Sequence, residues 1–402
     1  MILHKGVKRM TTQSRTRPFD SNISRRRFLR LLGLSGVTAA STYGSLGCRH
    51  SPNVSTLRMY GTGTLDIGKV GWNRLTHDTG IVLDFQDNNN DTGPVITQMI
   101  AGSAAHDYDL GGLQGGAERE LAAAGTILPW DTTKLSNWSS LWEWARNIPY
   151  TKSQGKQFGL PIVINADSMI YLPKYVGTVD SYAAIFDKRL KGRTAMEDAW
   201  INSVIFTAIY LKENSLQRID DPGNLTPDEL GAVMEFLIGK KKDGQFRTFW
   251  NGWEHGLSLI LNEEVYVMTG WEPIVYAARA KGVDARYAVP REGYEGWSND
   301  LLLHVGAASR GLVDTAHTFA NWEMSGYYGC SLAKIRGYVV PNDAGIQYAS
   351  AHPSEFDPVH QKEILANVEK KFQTMKGSIF WQNVRPKEFR LYEEWWSKLR
   401  AI

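Results

Sequence analysis

The chain has only two cysteines in 402 residues, Cys48 and Cys330, so no disulfide framework can hold it and the fold must rest on a buried core. Its nine histidines are scattered, with no His-Glu-x-x-His, no paired cysteine ligands and no acid cluster at metal spacing, which argues against a resident metal. Gly61-Thr62-Gly63 is too short for a dinucleotide fingerprint. Gly111-Gly112-Leu113-Gln114-Gly115-Gly116 lacks the Lys-Ser/Thr of a phosphate loop, and no Gly-x-Ser-x-Gly frames a nucleophile. Neither a cofactor nor a catalytic residue is therefore expected. The apolar run Leu31 to Ala40, broken by Gly33, Ser35, Gly36 and Thr38, falls short of the ~20 residues that cross a bilayer.

That run belongs to a different device. Ser24-Arg25-Arg26-Arg27-Phe28-Leu29-Arg30 precedes it, and small residues follow it up to Ser45-Leu46-Gly47-Cys48. Paired arginines for an export receptor, a mildly apolar segment and small residues for a peptidase make a twin-arginine leader. Cys48 stands at the lipid-acceptor position of a lipobox-like ending, although Ser45 replaces the usual bulkier apolar residue. Cleavage nearer Ala40 would instead release a soluble periplasmic protein. Removal of the first 47 residues changes a net charge of +3 into −5, leaving 36 bases against 41 acids. The basic character is the leader's, and nothing remains of a nucleic-acid footprint.

About 355 residues follow, more than one core usually serves, so two lobes are expected. From Thr56 strands and helices alternate: strand Leu57 to Tyr60, helix Asp66 to Thr76, strand Ile81 to Phe85, helix Val95 to Ile100, strand Tyr108 to Leu110, helix Glu118 to Ala124. This order predicts parallel α/β layers. The glycine-rich stretch 111–116 reads as a turn after a strand, where it could border a ligand crevice. Thr226-Pro227-Asp228-Glu229 is a capping box, and Pro358 and Pro386 open two further helices. Aromatic residues are plentiful, and many tryptophans sit in turns: Trp250-Asn251-Gly252-Trp253, Gly270-Trp271-Glu272-Pro273 and Gly296-Trp297-Ser298-Asn299-Asp300. Rings so placed can wall a cleft and attract cations.

Over nearly all of residues 55 to 400 the sequence resembles the spermidine/putrescine-binding proteins of bacterial ABC importers. The resemblance is carried by Glu118 to Asp131, Phe158-Gly159-Leu160-Pro161 with Asn165-Ala166-Asp167, Pro290-Arg291-Glu292-Gly293 and its sequel, Trp381-Gln382-Asn383, and Tyr392-Glu393-Glu394-Trp395-Trp396. It implies a two-lobed α/β solute-binding fold of the type II class. Lobe 1 would comprise 55–163 with 300–338, and lobe 2 would comprise 164–299 with 339–402. Crossing strands are expected near 162–165, 299–303 and 338–342.

By the same resemblance Trp271 and Trp297 fall on pocket tryptophans, Tyr338 on a pocket tyrosine, Gln382 on a pocket amide and Asp198 on an amine-binding acid. Asn299 stands where the family has an acid gripping a second amine, with Asp300 adjacent, and Glu272 is a further candidate. Ile201 replaces another carboxylate, and Gly61 to Thr64 and Gly116 replace first-lobe aromatics. The implied role is that of a monomeric receptor, without enzymatic activity, that hands a polyamine or related solute to a membrane permease. Another small solute, or an exported enzyme, is the alternative.

Overall fold

A computed structural model describes residues 55–87, 92–374, 380–382 and 384–402. The leader and Cys48 lie outside them. The frame is an eleven-stranded sheet whose principal strands are β1 (Ser55–Gly61), β2 (Ile81–Asp87), β3 (Leu110–Gln114), β4 (Gly159–Tyr171), β5 (Thr194–Glu197), β6 (Phe246–Trp250), β7 (Val267–Gly270) and β8 (Glu295–His304). Their order across the sheet is β2-β1-β3-β8-β4-β7-β5-β6, with Ile127–Leu128, Arg286–Tyr287 and Phe380–Trp381 added at the sides.

Two parallel groups result. β1 pairs with β2 and β3, and β5 pairs with β6 and β7. Antiparallel β8 and β4 join them, and both are buried at every position. At ~3.3 Å per residue, the thirteen residues of β4 span roughly 40 Å, enough to pass from one lobe into the other. Pairing of β4 with β8 slips between Asn299 and Asp300, and Ile164 bridges to Val339. The three crossings thus meet at one level, where the bulge bends the strands.

Helices α1 (Gly68–Thr79), α2 (Thr92–Ile100) and α3 (Glu118–Ala123) accompany the first group of strands. Helices α4 (Trp200–Glu213), α5 (Pro227–Lys242), α6 (Trp253–Leu261) and α7 (Glu272–Ala280) accompany the second. α8 (Gly326–Arg336) returns to the first lobe, where Tyr328 and Leu332 pack with Leu57, Met59 and Leu65. α9 (Pro358–Thr374) lies behind the crossing, its Ile364, Leu365 and Val368 against Ile164 and Val339. α10 (Phe389–Arg400) sends Tyr392 and Trp396 into the second core beside Phe206, Leu230 and Leu237. The Thr226–Glu229 capping box forms at the start of α5, an arrangement worth about 1 kcal/mol.

The expected glycine turn is corrected in part. Gly111 and Gly112 lie inside β3 rather than after it. A Cβ on Gly112 would collide with the side chains of Leu65 and Met59, and one on Gly111 would stand 2.5 Å from His304 Nε2. Packing demands glycine at both positions, so they are not free to border a ligand. Cys330 is a buried free thiol with Sγ 2.9 Å from the Gly345 carbonyl oxygen.

Candidate functional site

In both lobes the carboxyl ends of the parallel strands face one cleft, the position where open α/β sheets bind ligands. From the first lobe come Gly63 and Thr64 after β1, Gln114 ending β3, and Ile335 and Arg336 ending α8. From the second come Glu197 ending β5, Trp200 and Asn202 opening α4, Trp253 after β6 and Trp271 after β7. Asp167 and Trp297 enter from the crossing strands. The enclosed space is about 820 Å³.

Its floor is acidic: Asp167 and Glu197 line it, and Glu295, outside the lining, is buried beside them. Asp167 and Glu295 are directly opposed on neighbouring strands, and Glu197 stands close enough to influence Glu295. Like charges so placed repel, and burial disfavours the ionised forms further. Burial is the main cause of an Asp167 carboxyl pushed up to about 7, against the opposing pull of Lys371 and the Trp297 indole. Burial also pushes Glu197 up to about 8, although Asn202 Nδ2 donates to its Oε2 at 2.6 Å. Glu295 is driven well above the usual carboxylate range by burial and by both neighbours. Asp167 Oδ1 and both oxygens of Glu295 have no hydrogen-bond partner among the described residues. Among the described residues no lysine or arginine forms an ion pair with Asp167, Glu197 or Glu295, in contrast to Glu272, which Lys371 Nζ meets at 2.5 Å.

Rings and amides frame this floor. Trp297 and Tyr338 meet edge to face at 5.1 Å, and Trp271 packs against the buried Trp250 at 5.0 Å. Gln382 Nε2 donates to Asn202 Oδ1 at 2.5 Å, which leaves the buried Gln382 Oε1 without a partner among the described residues. Arg385, also in the lining, reaches Glu120 at 3.3 Å and lies 4.5 Å from the Phe389 ring.

Of the residues anticipated from sequence, Trp271, Trp297, Tyr338 and Gln382 line the cleft. Asn299 lies one layer beneath it, its Nδ2 donating to the hydroxyl of Thr64. Asp198 is not in the lining: its Oδ1 accepts from Trp396 Nε1 at 3.0 Å and from Arg400 Nε at 2.8 Å, in a separate depression beside α10. Asp300 is also elsewhere, because the bulge turns it into a buried first-lobe cluster. There Ser298 Oγ donates to its Oδ1 at 2.7 Å, and Glu118 is its charged neighbour. Burial and Asp300 raise Glu118 well above its usual value, so this pair retains a proton instead of offering two charges. Glu272 is spent on Lys371.

Sequence reading missed Asp167, Glu197, Asn202 and Arg336 as lining groups. The available signal was positional: Glu197 is the final residue of a short strand, and Asp167 ends the Asn165-Ala166-Asp167 crossing. Among the described residues no cluster of His, Cys, Asp and Glu could hold a metal ion, and no helix is long and apolar enough to cross a membrane.

Solved structures share this architecture. A spermidine/putrescine ABC transporter protein from Listeria monocytogenes is 17% identical with a TM-score of 0.69, covering 86% of this chain and 99% of its own. The PotD lipoprotein of Treponema pallidum is 14% identical with a TM-score of 0.69, covering 87% of this chain and 100% of its own. The binding protein MotA from A. tumefaciens, solved with glucopine, is 16% identical with a TM-score of 0.62, covering 86% of this chain and 99% of its own. The family model of bacterial extracellular solute-binding proteins matches residues 75–350. Members of that family bind solutes and are not enzymes. On the strength of that match and of the two-lobed fold, the chain belongs to the bacterial extracellular solute-binding protein family.

Proposed function

We propose that this protein is the solute receptor of an ABC importer and that it captures a small organic amine, a polyamine or a relative, between its lobes. The observation that carries this reading is the pair Asp167 and Glu197, two carboxylates that line an aromatic cleft and form no ion pair among the described residues, Lys371 acting on Asp167 only from behind, where it is paired with Glu272. A bound ammonium would supply the missing positive charge, and Trp271 and Trp297 would flank its alkyl part. The structural relatives named above, one described with spermidine and putrescine and one solved with glucopine, make amine-bearing ligands a reasonable starting panel.

The working cycle follows from the crossing strands. Lobe 1 (55–163 with 300–338) and lobe 2 (164–299 with 339–402) close when one ligand touches both, because only the closed state offers both sets of contacts. The closed form would then dock on a membrane permease. We assign delivery to the periplasm to the twin-arginine leader, with Cys48 as the site of lipid attachment.

Titration of the purified protein with putrescine, spermidine and short amino-alkyl compounds, read by tryptophan fluorescence, tests the assignment. Saturable changes that weaken in Glu197→Gln support it. No response across the panel, or responses indifferent to Glu197→Gln, would overturn the amine reading and leave the family assignment standing.

A further inference from the structure

We infer that the ligand is a zwitterion whose ammonium lies at Asp167 and Glu197 and whose carboxylate lies at Arg336 on the opposite wall. This rests on reading the cleft as an amine receptor, and it selects among amines.

The described first-lobe lining consists of Gly63, Thr64, Ile96, Gln114, Ile335 and Arg336, with Tyr338 at its edge. Among these described lining residues Arg336 is the only one with a charged side chain, and the first-lobe carboxylate of Asp87 lies against Gly63 without being part of the lining. A dication bridging the lobes would therefore meet acids on one side and a guanidinium on the other. A ligand with an anionic end finds complementary charge on both walls.

Arg336 is held in place to serve this role. Its Nε donates to the Asp66 carbonyl at 2.8 Å, and its Nη2 reaches Asp66 Oδ2 only at 3.4 Å. The other Asp66 oxygen is already engaged by Gly68 N and Trp72 Nε1, both at 2.8 Å. Nη1 of Arg336 is left without a partner among the described residues. The guanidinium is thus fixed by a backbone carbonyl and by an ion pair with Asp66 at 3.4 Å, and still has donors for a carboxylate, which arginine binds with bidentate geometry. Tyr338, also in the lining, is near enough to both charged regions that, besides the upward push of burial, Asp167 and Glu197 push its hydroxyl pKa up and Arg336 pulls it down. Arg385, the other cation of the lining, is paired with Glu120 and stacked near Phe389 on the second-lobe side.

Three probes with the same four-methylene spacer separate the alternatives: 5-aminopentanoate, its amide 5-aminopentanamide, and putrescine. Isothermal titration of the full chain should show the acid binding about tenfold or more tighter than the amide and the diamine, the value of one charge-assisted bidentate contact. Arg336→Gln should abolish that preference and leave amide affinity within about twofold. Tighter binding of putrescine than of the acid, or an equal loss for acid and amide in Arg336→Gln, would overturn the zwitterion and retain the amine site if Glu197→Gln still weakens all three. Absence of binding by every probe, or indifference of all three to Glu197→Gln, would remove the amine reading and this inference with it.

Discussion

Glu197 and Asp198 are neighbours in the chain and serve opposite sides of the second lobe. Glu197 lines the cleft and accepts from Asn202 at 2.6 Å, whereas Asp198 is held outside it by Arg400 at 2.8 Å. Alternation of side chains at the end of a strand produces this separation. Glu197→Gln is expected to weaken ligand binding by about tenfold or more, the loss of a charge-assisted hydrogen bond. Asp198→Asn is expected to leave affinity unchanged and to lower stability by at most ~1 kcal/mol, because Arg400 is largely exposed. Calorimetry for binding and urea unfolding for stability check both outcomes, and a binding defect confined to Asp198→Asn would reverse the assignment.

The floor acids should make capture of a cation pH-dependent. With Asp167 near 7 and Glu197 near 8, much of the empty floor is protonated at neutral pH, while an ammonium favours the ionised forms. Affinity should therefore rise as pH increases from 6 to 8.5, and binding at pH 7 should release protons, measurable as a dependence of the apparent enthalpy on buffer ionisation. Stability of the empty protein carries the opposite sign. These acids hold protons in the folded state that the unfolded chain has lost above about pH 4, so their contribution declines between pH 4 and 8. Constant affinity across this range would show that the two acids do not contact the bound cation.

The fold was largely legible because its evidence is periodic. Alternating strands and helices, the Thr226 capping box and the apolar stripe of α9 each follow from local spacing. The lobe crossing near Ile164, Asn299 and Val339 was legible as well. The site was half legible for a physical reason. Trp271, Trp297, Tyr338 and Gln382 could be placed because the resemblance matched each of them to a pocket position of the family. The acids could not, because which carboxylate faces the cleft depends on a one-residue alternation at Glu197 and on a bulge at Asn299. Either feature reverses the direction of a side chain without leaving a mark in composition. Gly111 and Gly112 were misread for a related reason: their need for glycine comes from Leu65, Met59 and His304, all distant in sequence.

Lys371 and Glu272 form a pair that is nearly removed from solvent, at 5% and 8% exposure, and Lys371 also donates to Asn165 Oδ1 at 2.9 Å and the Ala166 carbonyl at 3.1 Å. The pair ties α9 to the start of α7 just behind the floor. Lys371→Met alone leaves a buried carboxylate and should cost about 3–5 kcal/mol. Combining it with Glu272→Gln should recover most of that loss, since neither change then leaves a charge alone. A thermal or urea unfolding series of the two single variants and the double variant measures the coupling, and strict additivity would show that the two side chains do not interact.

His304 should set part of the acid limit of the fold. It ends β8, is fully buried, and neither ring nitrogen has a hydrogen-bond partner among the described residues. Burial pulls its imidazole down to about 4, so it stays neutral in the folded protein while the unfolded chain takes up a proton near 6.5. The unfolded state thus binds more protons between pH 6.5 and 4, and stability falls as pH decreases through that window. Across the whole window this one ring lowers stability by roughly 3 kcal/mol, because each tenfold rise in proton activity favours the protonated unfolded chain by about 1.4 kcal/mol. Its Nε2 faces Gly111, where no side chain can be added to shield it. His304→Gln keeps a polar group of similar reach and removes the titration. Its unfolding free energy should fall less steeply than that of the parent protein between pH 6.5 and 4, whatever its absolute stability at neutral pH. Parallel pH profiles for the two proteins would show that the ring is protonated in the native state.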